Sequence, residues 1–114
     1  MREEKIKLEL IQRAREVKFV SQFFTNEPYK HSLKEDLRYL LWMEEFKDWF
    51  RVNHNIYIEP YRTTMKKFRA DVVYDHKAEA DNEDVINDRD SYEHEVHTYS
   101  EALEQGLLLA FKYL

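Results

Sequence analysis

The clearest pattern in the chain lies at residues 33–53, LKEDLRYLLWMEEFKDWFRVN, where apolar residues recur at helical spacing. At about 100° per residue, Tyr39, Trp42, Met43, Phe46, Trp49 and Phe50 fall within one arc of about 120°, with Arg38, Glu44, Glu45, Lys47, Asp48 and Arg51 around the rest. The spacing predicts a long amphipathic helix, opened by the capping box Ser32/Glu35. Leu33, Leu37, Leu40 and Leu41 form a second apolar stripe near the opposite side of its first turns, so this helix is expected to need covering twice.

Before it, Ile6, Leu10, Ala14, Val17, Val20 and Phe24 make one stripe of a helix over residues 3–24. Ile6, Leu8 and Leu10 also alternate with charged residues, so the first ten residues read equally as an edge strand. The leucine stripe is the expected seat for the first helix. After it, Asn53, His54 and Asn55 predict a C-cap, since asparagine tolerates the left-handed conformation. Period-two alternation then predicts strands at 56–62 and 67–74 forming a hairpin, with Pro60 placing the first at an edge or ending it early.

Residues 75–91 are polar without a strong period and predict a loop; a third strand is expected at 92–97. Thr98 and Glu101 make another capping box, opening a closing helix over 99–113. Gly106, the single glycine, falls inside it, where it costs about 1 kcal/mol relative to alanine and implies close packing on a neighbour. The expected fold is α+β: two N-terminal helices, a small antiparallel sheet of about three strands and a C-terminal helix, in one domain spanning 1–114.

Composition narrows the function classes. A chain of 114 residues, 43% hydrophobic, is long enough to bury roughly two thirds of its unfolded surface without covalent staples. The absence of cysteine removes disulfides and thiolate metal sites and suits a reducing compartment. The opening MREEKIKLELIQ interleaves charges where a secretory leader would be apolar, and no window approaches the roughly 18 apolar residues of a membrane span. Cytoplasm is the expected location. The net charge of −5 arises within 75–91, where Asp75, Glu79, Asp81, Glu83, Asp84, Asp88 and Asp90 outnumber Lys77 and Arg89.

No sequence pattern for nucleophilic or phosphate-cradling chemistry is present. There is no thiol and no G-x-S-x-G elbow, and one glycine excludes P-loop and dinucleotide fingerprints. An EF-hand counted from Asp81 would need glycine and glutamate where Ile86 and Tyr92 stand. Glu93, Glu95 and His97 share one face of the expected third strand and are the weak candidates for a divalent metal; an ordinary solvated sheet face has the same pattern. Arg62, Lys66, Lys67 and Arg69, interleaved with Tyr57, Tyr61 and Phe68, form the basic-aromatic cluster that a single-stranded nucleic acid would need.

The ending H-T-Y-S-E-A-L-E-Q-G-L-L-L-A-F-K-Y-L resembles the T-Y-E-E-A-L-E-x-G-L-x-x-A-L tail of short uncharacterised proteins of Bacteroidetes and their phages and prophages. Those proteins also carry an earlier tryptophan-containing helix and an H-x-I-x-I strand, as Trp49 and His54-Asn55-Ile56-Tyr57-Ile58 do here. The long first helix and the acidic segment are departures. The resemblance implies a source and an architecture but no reaction, cofactor or catalytic residue.

These observations lead to an expected non-enzymatic interaction protein, of phage or prophage origin and working in the host cytoplasm. Leu33, Leu37, Leu40, Leu41, Leu108 and Phe111 are surplus apolar positions for a second copy or a host protein. The alternative is a nucleic-acid role. In one form Arg62, Lys66, Lys67 and Arg69 bind a strand directly; in the other Asp81, Glu83, Asp84 and Asp88 imitate a phosphate backbone toward a host DNA-binding or defence protein.

Overall fold

In the computed structural model, which describes residues 2–22, 36–74, 88–91 and 95–114, the leading helix stops sooner than its apolar pattern predicts. Helix α1 spans Arg2–Glu16, so the helical reading of the first residues holds and the strand reading does not. Lys18 adopts a left-handed φ of 61°, and two backbone hydrogen bonds close the end: Lys18 N–H to Arg15 O at 3.0 Å and Phe19 N–H to Ala14 O at 2.9 Å. This is a Schellman stop built on lysine in place of the usual glycine. The expected extension to residue 24 fails here: Val20 lies beyond the stop and is exposed, and Phe24 falls outside the described residues.

Helix α2, Asp36–His54, buries Tyr39, Trp42, Met43, Phe46 and Phe50, with Trp49 half-buried against the same cluster. Its expected Ser32/Glu35 start lies outside the described residues. Its end follows the sequence, with Asn55 at φ 56° and its N–H bonded to Arg51 O at 3.2 Å. The leucine stripe is not the seat of α1. Leu10, Ile11 and Ala14 of α1 join the aromatic cluster instead, because that stripe offers more contact area than four leucines.

Strands β1 (Ile56–Thr64) and β2 (Lys67–Tyr74) form the expected antiparallel hairpin, with Ile58 opposite Val72, Pro60 opposite Ala70 and a register irregularity between Arg62 and Thr64. The third strand departs from expectation. Strand β3 is Asp88–Ser91, pairing antiparallel with β2 to give the order β1-β2-β3. Residues expected in the strand at 92–97 contribute one isolated bridge, Val96 with Phe68, and 92–94 lie outside the described residues. The sequence DRDS has low β propensity, and pairing with the apolar β2 overrides it.

Helix α3, Tyr99–Ala110, begins at Thr98, whose side chain accepts from Glu101 N–H at 3.1 Å, and runs into a 3-10 turn at Phe111–Tyr113. It lies across the sheet face made by Ile56, Ile58, Ala70 and Val72. Gly106 is the contact point: a Cβ there would stand 2.7 Å from Ile58 Cγ2 and 2.9 Å from Ala70 Cβ. Leu103, Leu107 and Ala110 are buried in the same core cluster as residues of α1 and α2. Leu108 and Phe111 pack against this core too, with Phe111 edge-to-face on Phe50 at 5.3 Å, so they are not the free apolar surface expected of them. The architecture is α+β.

Candidate interaction surfaces

Three polar anchors fix α2 among its neighbours and so determine which of its faces remain free. Tyr39 donates its hydroxyl to Glu104 Oε2 of α3 in the core. Glu44 Oε1 accepts from Tyr99 at the start of α3 at 2.6 Å, while its other oxygen pairs with Lys47 at 2.7 Å. Glu45 accepts from Ser21 Oγ at 2.7 Å and from Gln22 N–H. The last anchor holds the chain leaving α1 and seats Phe19 stacked on Phe46 at 4.4 Å, with edge contacts to Trp42 and Trp49.

Both tyrosines have pKa values pushed above the ordinary phenol value. For Tyr39 burial is the main cause, followed by the charge of Glu104 and then its hydrogen bond. For Tyr99 burial again leads, then the hydrogen bond to Glu44 and its charge. Both phenols therefore stay protonated as donors, which joins helices and offers no base or nucleophile. Two modest open grooves lie among the described residues. One of about 370 Å³ is lined by Phe19, Val20, Trp49 and Val52 with Glu45 and Asp48; another of about 250 Å³ lies between α2 and β1.

Among the four α2 leucines the structure separates roles. Leu37 is 68% exposed and Leu41 49% exposed, one turn apart on the same side, whereas Leu40 is half-buried. Leu33 lies outside the described residues. Two of the predicted interaction residues are thus side by side and open to solvent, with Val52 further along that side at 67%.

The basic-aromatic cluster divides between the two faces of the hairpin. Cross-strand partners point to the same side, so Arg62, opposite Phe68, belongs with the helix-facing row Ile58, Pro60 and Ala70. Tyr57, Tyr61 and Arg69 occupy the outer face, where Glu59 and Asp71 stand directly opposite each other. Lys66 is in the turn with Met65, and Lys67 follows on the outer side. The Phe68–Val96 bridge sets Glu95 beside Arg69 and His97 beside Lys67, so two groups that looked separate in sequence meet at one end of the sheet.

Glu95 and His97 are both exposed there, and Glu93 lies outside the described residues. No cluster of three or more His, Cys, Asp or Glu side chains among the described residues could hold a metal ion. Of the acidic group, Asp81, Glu83 and Asp84 fall outside the described residues, and Asp88 belongs to β3 where a loop was expected. No described helix is long and apolar enough to cross a membrane.

Sequence reasoning missed the Tyr39–Glu104 pair and the Glu44 and Glu45 anchors. The one available signal was Glu104 next to Leu103 and Leu107, a charge intruding on an apolar stripe. No protein family, curated protein or solved structure matches the chain.

Proposed function

We propose that the protein is a non-enzymatic interaction module that pairs with a second copy of itself through the exposed side of α2. The observation carrying this reading is the adjacent exposure of Leu37 and Leu41 on a helix otherwise pinned by its aromatic stripe and three polar anchors. A two-fold pairing would let each protomer cover the other's leucines.

Magnitudes predict a weak dimer. Covering a leucine contributes about 2 kcal/mol, so four leucines contribute about 8 kcal/mol before an association cost of roughly 4–15 kcal/mol. At the lowest cost about 4 kcal/mol remains, so association is expected at about millimolar concentration, where a host protein with a larger apolar groove would compete. The tail pattern at residues 97–114 supports a phage or prophage accessory protein acting in the host cytoplasm.

Sedimentation equilibrium across a protein concentration series tests this. The expected result is a reversible monomer–dimer equilibrium that Leu37→Glu with Leu41→Glu abolishes while circular dichroism is retained. A wild-type protein that stays monomeric up to millimolar concentration overturns the reading.

A further inference from the structure

Charge along the chain is unevenly placed in a way the net value of −5 conceals. Residues 60–70, PYRTTMKKFRA, hold Arg62, Lys66, Lys67 and Arg69 and no acidic residue, so this stretch is +4 and the rest of the chain −9. These residues form the distal half of the β1–β2 hairpin. Among the described residues Arg62, Lys66 and Lys67 are exposed and make no ion pair. The neighbouring acid, Glu95, stands directly opposite Arg69 by register and one diagonal step from Lys67, away from Arg62 and Lys66.

By backbone register strand β3 lies along the half of β2 remote from the tip. Asp90 pairs with Val72, six residues past Lys66, which is about 20 Å along an extended strand. The Debye length at physiological ionic strength is only about 8 Å. An approaching polyanion therefore meets a positive hairpin end despite the acidic total.

The arrangement of these cations discriminates between kinds of polyanion. A single strand laid on a flat stacking platform needs its cations and aromatic rings on one face, yet Arg62 lies on the helix side of the sheet, Lys67 on the outer side and Lys66 in the turn between. The outer face that carries Tyr57 and Tyr61 also carries Glu59 and Asp71. Cations on both sides of a narrow ribbon suit insertion between two phosphate walls. At the apex Met65 is 87% exposed, presenting an apolar group where the floor of a groove would be.

We propose that the β1–β2 hairpin tip is a docking element for duplex DNA, entering the major groove with Arg62 on one side, Lys67 on the other and Lys66 at the turn between them. The major groove, about 12 Å wide, admits a two-stranded β-ribbon, whereas that of A-form RNA is too narrow for side chains to read. Met65 sits against base edges and thymine methyls, and the three cations fix position on the backbone. Contact through phosphates implies little sequence preference.

Fluorescence anisotropy with a fluorescein-labelled DNA duplex, one of its strands, an RNA duplex of the same sequence and labelled polyglutamate tests the proposal. The DNA duplex is expected to bind at low salt at least tenfold tighter than the other three. Three phosphate contacts give a log–log salt slope of about −2.7, so affinity falls about 40-fold between about 50 and 200 mM salt. Lys66→Ala reduces the slope by about one, and Arg62→Ala with Lys66→Ala and Lys67→Ala abolishes binding. These side chains are exposed, and an unchanged circular dichroism spectrum shows that the variants fold. Absence of binding at low salt overturns the proposal, as does binding that the triple substitution leaves intact. Equal affinity for the single strand, the RNA or polyglutamate likewise overturns it, the last by assigning the tip to an acidic protein surface.

Discussion

The hydroxyl of Tyr39 donates to Glu104 Oε2 at 2.5 Å, joining α2 to α3 across 65 positions of sequence within the core. Lys7 of α1 lies over the Tyr39 ring with its ammonium 4.4 Å from the centroid, so residues of all three described α-helices converge at this tyrosine. Tyr39→Phe removes the donor while Glu104 remains buried. A hydrogen bond to a charged group contributes about 1.5–3 kcal/mol, and the variant is expected to lose that much. Urea denaturation should show a lower midpoint at unchanged slope; a loss under about 0.5 kcal/mol would mean that this bond contributes nothing net.

The raised pKa values of Tyr39 and Tyr99 make stability depend on alkaline pH. A phenol whose pKa is higher folded than unfolded favours the fold fully below its unfolded value of about 10, and this contribution is lost as pH rises from there toward the folded value. Denaturant midpoints are expected to fall above about pH 10, less steeply in a variant carrying Tyr39→Phe and Tyr99→Phe. Identical profiles for wild type and variant would assign the alkaline loss to other groups.

Gly106→Ala should destabilise, contrary to helix propensity. Propensity favours alanine by about 1 kcal/mol, but the new methyl would meet Ile58 Cγ2 and the main-chain-anchored Ala70 Cβ at distances real Cβ atoms do not tolerate. Overpacking costs typically 1–3 kcal/mol, so a net loss of about 1 kcal/mol is expected by thermal or urea melting. A gain in stability would show that α3 can lift from the sheet at little cost.

Lys18→Gly should stabilise by about 1 kcal/mol, because glycine accepts the left-handed backbone that costs an L-residue about 1–2 kcal/mol. Lys18→Val at the same position should lose stability, since β-branching makes a positive φ worse. If the two variants melt alike, α1 does not end in the observed hydrogen-bonded stop.

Much of the fold was legible where one residue type has one structural meaning. The aromatic stripe of α2, the Asn55 cap, the paired alternation of β1 and β2 and the close approach at Gly106 all follow from local rules. The end of α1 was not legible, because its stop uses lysine at a position where glycine is the signal. Strand β3 was hidden by aspartates whose pairing depends on β2 and not on their own preference. Of the candidate surfaces, exposed Leu37 and Leu41 came from the pattern, but which leucines stay open depended on where α1 packs. The division of Arg62 from Lys67 was latent in the strand alternation, although the basic cluster read along the chain looked like one patch.

Pro60 has a consequence for what a crowded solution of this protein will do. β1 is the outermost described strand on its side of the sheet, and a nine-residue free edge rich in tyrosine and isoleucine would ordinarily template another copy's strand. Proline opposite Ala70 has no amide hydrogen to donate, so a strand arriving at that edge finds its ladder interrupted midway. Copies are thereby discouraged from adding edge to edge into an open-ended fibre. A protein with exposed leucines on one helix can then associate in closed pairs without also growing through its sheet.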